Sequence, residues 1–173
     1  MGSGEKIQKI VLSGIGGQGV LFITRILAQV AIDMGFPALV SETHGMAQRG
    51  GTVVSHLKIG DFKSPLIRSG QADVLICFHE DNVLQHDYFL KENGVLIVNS
   101  TEKGKNRIDA TSIASRIGAP IAANLVVLGY ALANGCLFCK QEVLEGCLQR
   151  KNSQRLEQNL AALKAGISRG KNL

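Results

Sequence analysis

Tryptophan is absent from this chain, and aromatic residues of every kind make up only 5% of its 173 residues. Nucleic-acid binding usually interleaves aromatics with basic residues inside a recognisable motif, and neither feature is legible here. Long apolar runs are also lacking: no stretch approaches the ~20 residues that a membrane-spanning helix needs. Met1 to Gln8 carries no apolar core, so no signal peptide is expected. The Met1-Gly2-Ser3 start has Lys6 where myristoylation wants Ser or Thr. Cysteine is scarce, with four residues best read as free thiols in a cytoplasmic protein. These absences predict a chain with neither membrane nor nucleic acid as a partner.

What is present is aliphatic. Apolar residues reach 45% against 19% charged, and Ile, Leu, Val and Ala carry the apolar load. The length suits a single domain spanning 1–173, able to bury a core without disulfide or metal staples. The balance suits an α/β protein of three α/β/α layers, with a Rossmann-like, mostly parallel sheet. The formal charge of +5 is localised. Residues 150–173 hold six bases (Arg150, Lys151, Arg155, Lys164, Arg169, Lys171) against one acid, Glu157, which accounts for the whole excess. A basic C-terminal helix reads as a solvated face or as a surface for an acidic partner.

Along the chain, Lys9 to Leu12 reads as a buried first strand and Val20 to Met34 as a helix stopped at Gly35-Phe36-Pro37. Ala38 begins a second strand. A regular doubly wound fold then calls for a helix, but 43–51 is polar and glycine-rich and Thr52 to Ile59 alternates like a strand. An antiparallel hairpin is therefore expected there. Strands follow at Asp73–Phe78 and Val95–Val98. Helices are expected at Asp81–Lys91, Thr111–Ile117, Ala122–Ala133, Gln141–Gln149 and Gln154–Ile167.

Two segments carry chemistry. In Gly14-Ile15-Gly16-Gly17-Gln18-Gly19, the glycines at 14, 16 and 19 have the G-x-G-x-x-G spacing after a strand and before a helix. Glycine permits the tight turn and lets a ligand approach the backbone, and the helix N-terminus favours an anion. Gly14, Gly16, Gly17, Gln18 and Gly19 are thus candidate cofactor-binding residues. Glu42, ending the second strand, lies about where an acid would grip a ribose. On this basis alone a self-contained NAD- or FAD-binding oxidoreductase is one reading.

The second segment, Glu42 to Gly51, crowds Glu42, His44, Gln48 and Arg49 between flexible glycines and ends in Gly50-Gly51. Arg49 offers a rigid fork of donors for a carboxylate or phosphate. Glu42 and His44 have the chemistry for proton transfer. A loop inserted into a partner's surface suits the same residues, and we favour that reading.

Ser13-Gly14-Ile15-Gly16-Gly17-Gln18-Gly19-Val20 together with Ser41-Glu42-Thr43-His44-Gly45-Met46-Ala47-Gln48-Arg49-Gly50-Gly51 resembles the gamma-type domain of the 2-oxoacid:ferredoxin oxidoreductases. The His-Gly-Met-x-Gln-Arg-Gly-Gly form is most similar to the indolepyruvate branch, where this domain is the small (beta) subunit. Ser64 to Ile67, Ala72 to Leu75, Asn124 to Gly129 and Asn159-Leu160 continue the likeness over nearly the whole chain.

The resemblance implies oxidative decarboxylation of a 2-oxoacid on thiamine diphosphate, electron transfer through iron–sulfur clusters to ferredoxin, and formation of an acyl-coenzyme A. It implies a heteromer in which a larger subunit bears the thiamine and the clusters. No cofactor is then bound by this chain alone, and no catalytic residue is carried over. Cys136-Leu137-Phe138-Cys139 is a C-x-x-C, but Cys77 and Cys147 do not supply a second pair, so no metal site is expected. His56, His79 and His86 read as structural or surface residues.

Overall fold

The computed structural model describes residues 5–44, 51–151 and 154–171. The chain gathers into two compact units, Met1–Leu96 and Ile97–Leu173. It is an α/β fold with a mixed six-stranded sheet, in the order β2-β3-β1-β4-β5-β6. Strands β1 (Lys6–Ile15), β2 (Ala38–His44), β3 (Thr52–Gly60) and β4 (Ala72–Cys77) belong to the first unit, with helices α1 (Val20–Asp33) and α2 (Asp81–His86). Strand β5 (Leu90–Asn99) leads into the second unit, which holds β6 (Arg107–Ile108), α3 (Ala110–Arg116), α4 (Ala123–Ala133), α5 (Gln141–Arg150) and α6 (Leu156–Lys171).

The expected hairpin is present. β3 runs antiparallel to both β2 and β1, whereas β1 and β4 run parallel, as do β5 and β6. Side chains alternate between the faces of a strand, so register assigns them. Ile10 and Leu12 share one face with Leu57, Ile59 and Ile76, all fully buried. The fully buried Ile23, Ile26, Leu27 and Val30 recur at helical spacing on α1, which contacts β1, β2 and β3. The opposite face carries Lys9, Val11 and Ser13 beside Lys58, His56 and Val54.

The helix expected from Asp81 to Lys91 ends at His86. A 3-10 turn, Asp87–Phe89, follows, and β5 starts at Leu90. Tertiary contacts override the helical pattern here. The carbonyls of Tyr88 and Phe89 accept the N–H groups of Gly70 and Gln71 at 2.9 Å each, and the Phe89 ring lies between His56 and His86.

In the second unit α4 is buried from Asn124 to Ala131 and packs against α6. The helices approach backbone to backbone at Gly129 and Gly166, where an added Cβ would run into the carbonyls of Leu163 and Val126 respectively. Glycine here serves packing.

Candidate functional site

β1 leaves the sheet at the glycine loop, which closes on itself. Ile15 donates its N–H to Gln18 Oε1 at 2.8 Å, and the Gln18 N–H returns to the Ile15 carbonyl at 3.0 Å. Gln18 Nε2 donates onward to the Phe78 carbonyl at 3.3 Å, just beyond β4. Gly17 and Gly19 take positive φ, 95° and 77°, which an L side chain adopts only at a cost. Gly14 has Gln18, Val20 and Phe78 packed around the place where a Cβ would stand.

The second motif meets this loop. Gly16 donates its N–H to the Gly51 carbonyl at 2.9 Å, and Ile15 pairs with Thr52 in the sheet register. Gly16 and Gly17 themselves are exposed. Glu42 is exposed on β2, and His44 pairs with Val53 in the ladder. Gln48, Arg49 and Gly50 lie outside the described residues. Thr52 Oγ1 donates to Gln85 Oε1 on α2 at 3.3 Å, which brings in a third wall, Phe78 to His86.

Beneath this wall lies a buried polar group. His86 Nδ1 lies 2.9 Å from Ser13 Oγ and 3.1 Å from the Asn82 carbonyl, so a single nitrogen faces two oxygens. His56 Nδ1 accepts the Ile67 N–H at 3.3 Å, and its ring meets Phe89 edge-on. Burial holds both imidazoles below their ordinary pKa. The cation of Lys58 and then His86 lower His56 further, while the Asn82 carbonyl partly offsets the effect at His86. Cys77, beside Ser13 in the register, has its thiol pushed up to about 12 by burial and by Asp87.

The hydroxyl of Ser13 and the thiol of Cys77 are shut away from solvent. Ser13 is fully buried, and Cys77 is held as a thiol, which is a poor nucleophile. Fewer backbone donors face outward than in an open anion cradle, because the N–H groups of Ile15, Gly16 and Gln18 are engaged inside the chain. Dinucleotide binding meets a second obstacle. Glu42 pairs with Ser55, which pairs with Leu12, so β3 separates the acid from β1 by two strand spacings, roughly 10 Å. A ribose-gripping acid belongs on the strand next to the glycine loop.

All four cysteines are buried and outside any disulfide, and the Cys136 and Cys139 thiols are raised by burial, Cys139 to about 11. Among the described residues no three His, Cys, Asp or Glu side chains converge as a metal site would require. Sequence reasoning missed Ser13, Thr52, Asn82, Gln85 and His86 as neighbours of the loop. Ser13 and His86 stand 73 positions apart, and no local pattern announces such a pair.

Comparison with known proteins places this geometry among relatives. A family model described as pyruvate ferredoxin/flavodoxin oxidoreductase matches residues 9–169. The indolepyruvate oxidoreductase subunit IorB of Archaeoglobus fulgidus is 34% identical over 187 residues, covering 92% of this chain and 93% of the relative. The 2-oxoglutarate synthase subunit KorC of Methanocaldococcus jannaschii is 29% identical, covering 96% and 95%. The crystal structure of a keto/oxoacid ferredoxin oxidoreductase gamma subunit from Geobacter sulfurreducens superposes with a TM-score of 0.77 at 28% identity, covering 96% of this chain and 99% of that one.

Proposed function

The chain belongs to the pyruvate ferredoxin/flavodoxin oxidoreductase family, and on that premise we propose that it is the small subunit of an indolepyruvate-type 2-oxoacid:ferredoxin oxidoreductase. It acts as one gamma-type domain over residues 1–173, in the cytoplasm, bound to a larger subunit that carries thiamine diphosphate and iron–sulfur clusters. That assembly decarboxylates the 2-oxoacid oxidatively, forms an acyl-coenzyme A and delivers electrons to ferredoxin. This chain contributes no catalytic group.

The observation that carries the reading is the Gly16–Gly51 hydrogen bond. It sets the glycine loop against the end of the second motif, so that two segments far apart in sequence offer one surface. Exposed Gly16 and Gly17 stand beside it. By the sequence motif alone we assign Glu42, His44, Gln48, Arg49, Gly50 and Gly51 to the same partner contact, with the Arg49 fork suited to a carboxylate or phosphate of the partner.

The test is Arg49→Ala, measured by thermal unfolding of the free chain and by co-purification with the larger subunit. Unchanged unfolding with weakened assembly is the expected outcome, and losing one partner of a buried charge pair costs about 2–5 kcal/mol. Arg49→Lys should rescue only in part, because a point charge lacks the planar fork. Full assembly by Arg49→Ala would refute the docking role. A large loss of stability in the free chain would show instead that Arg49 serves its own loop.

A further inference from the structure

Within the second unit, α3 and α6 border a groove of about 450 Å³ lined by Asp109, Ile113, Arg116, Ala165, Ser168 and Arg169. We propose that this groove docks an acidic segment of the larger subunit that carries carboxylates next to aliphatic side chains. The inference rests on the small-subunit reading above and assigns a second contact to it, separate from the glycine-loop surface.

Charge is the first argument. Arg116 and Arg169 are both exposed on the groove. The one acid there, Asp109, caps α3 by accepting the Ser112 N–H at 3.0 Å and also interacts with the Arg116 charge. Two guanidiniums thus face a single engaged carboxylate. Arg169 also belongs to the C-terminal segment that holds the chain's whole basic excess. A second copy of this chain seated groove to groove would set arginine against arginine.

Apolar exposure is the second argument. Ile117, at the C-terminal end of α3, is 40% exposed, and Ile121, in the 3-10 turn Pro120–Ala122, is 70% exposed. That turn contacts both α3 and α6, and Ile113 and Ala165 line the groove itself. A free small anion gains nothing from such aliphatic surface, and it would want enclosed donors. Nucleic acid would want aromatic platforms, which this groove lacks. A peptide with alternating acidic and aliphatic side chains uses both features, in the manner of a polar rim around an apolar contact.

The test measures binding of the full-length chain to the purified larger subunit for wild type, Arg116→Glu/Arg169→Glu and Ile121→Asp, with thermal unfolding of each free chain. Both variants should unfold like wild type. The double charge reversal should weaken binding on the order of 30-fold and flatten its salt dependence. Ile121→Asp, which leaves both arginines in place, should weaken it too, which keeps the test sound if the double variant folds poorly. Wild-type affinity in both variants would overturn the proposal. Stabilisation of the free chain by millimolar inorganic phosphate, lost in the double variant, would assign the groove to a free anion instead. Arginine-dependent sedimentation with phosphatidylserine vesicles would assign it to a membrane surface. Failure of the wild-type chain to bind the larger subunit would contradict the small-subunit reading itself.

Discussion

Gln18 folds back so that its side-chain oxygen accepts the Ile15 N–H at 2.8 Å, supplying from inside the chain the acceptor that an anionic ligand would bring. That bond withdraws one backbone donor of the glycine loop from any outside ligand. Its Nε2 reaches Phe78 as well, tying the loop to the end of β4. Loop shape is therefore set before any partner arrives.

The loop's glycines should not be equivalent. Gly17, at φ 95°, should lose about 1–2 kcal/mol on substitution by alanine, although nothing lies within 4 Å of its added methyl. Gly16 has no left-handed φ, and an added Cβ would stand 3.5 Å from the Gly51 carbonyl, an ordinary contact. Gly16→Ala should stay within about 0.5 kcal/mol of wild type. Denaturant titration of the two variants checks this, and equal losses would show that backbone conformation is not what the glycines supply.

The α4–α6 contact predicts a much larger effect. At Gly166 the added methyl meets the carbonyl of Val126 and the N–H of Tyr130, which are backbone atoms that cannot rotate aside. Gly166→Ala should cost on the order of 3 kcal/mol, or about 10 °C in Tm for a chain of this size. Gly146 on α5 has only the tip of Arg150 nearby, at 3.5 Å. Gly146→Ala should be neutral or mildly stabilising. Similar Tm values for the two variants would mean that the helices cross at a wider distance.

Stability should fall on mild acidification. The folded pKa values of His56 and His86 lie below the ordinary 6.5, chiefly through burial. The unfolded chain therefore binds more protons just below pH 6.5, and stability rises with pH through that window and is full above it. The urea midpoint should hold steady above pH 7 and decline as pH drops from 6.5 through the folded values. His86→Gln, which removes one of the two imidazoles, should make that decline shallower. A midpoint that does not change between pH 7.5 and 5.5 would contradict the burial of neutral imidazoles.

Much of the first unit was legible because its signals are local. Ile10 to Leu12 form an apolar run, α1 repeats its buried positions at helical spacing, and the polar gap after His44 followed by alternation at Thr52 spells a hairpin. What the pattern could not show is order in space. Nothing near Glu42 says that β3 will come between it and β1, which sets this acid two strands from the glycine loop. The end of α2 was misjudged because Phe89 is held by His56 and His86, contacts that no helical periodicity encodes. Strand β6, only two residues long, is too short to leave a period. The meeting of Gly16 with Gly51 follows from register, so the sequence showed both motifs but not their junction.

The central claim is that this chain works only as a subunit. The most direct measurement is indolepyruvate- and coenzyme A-dependent reduction of ferredoxin by the purified larger subunit, with and without this chain. No turnover by this chain alone, little by the larger subunit alone, and full turnover when the two are combined at equal concentration is the expected result. Full turnover by the larger subunit without this chain, or NAD(H)-linked oxidoreductase activity of this chain by itself, would contradict it.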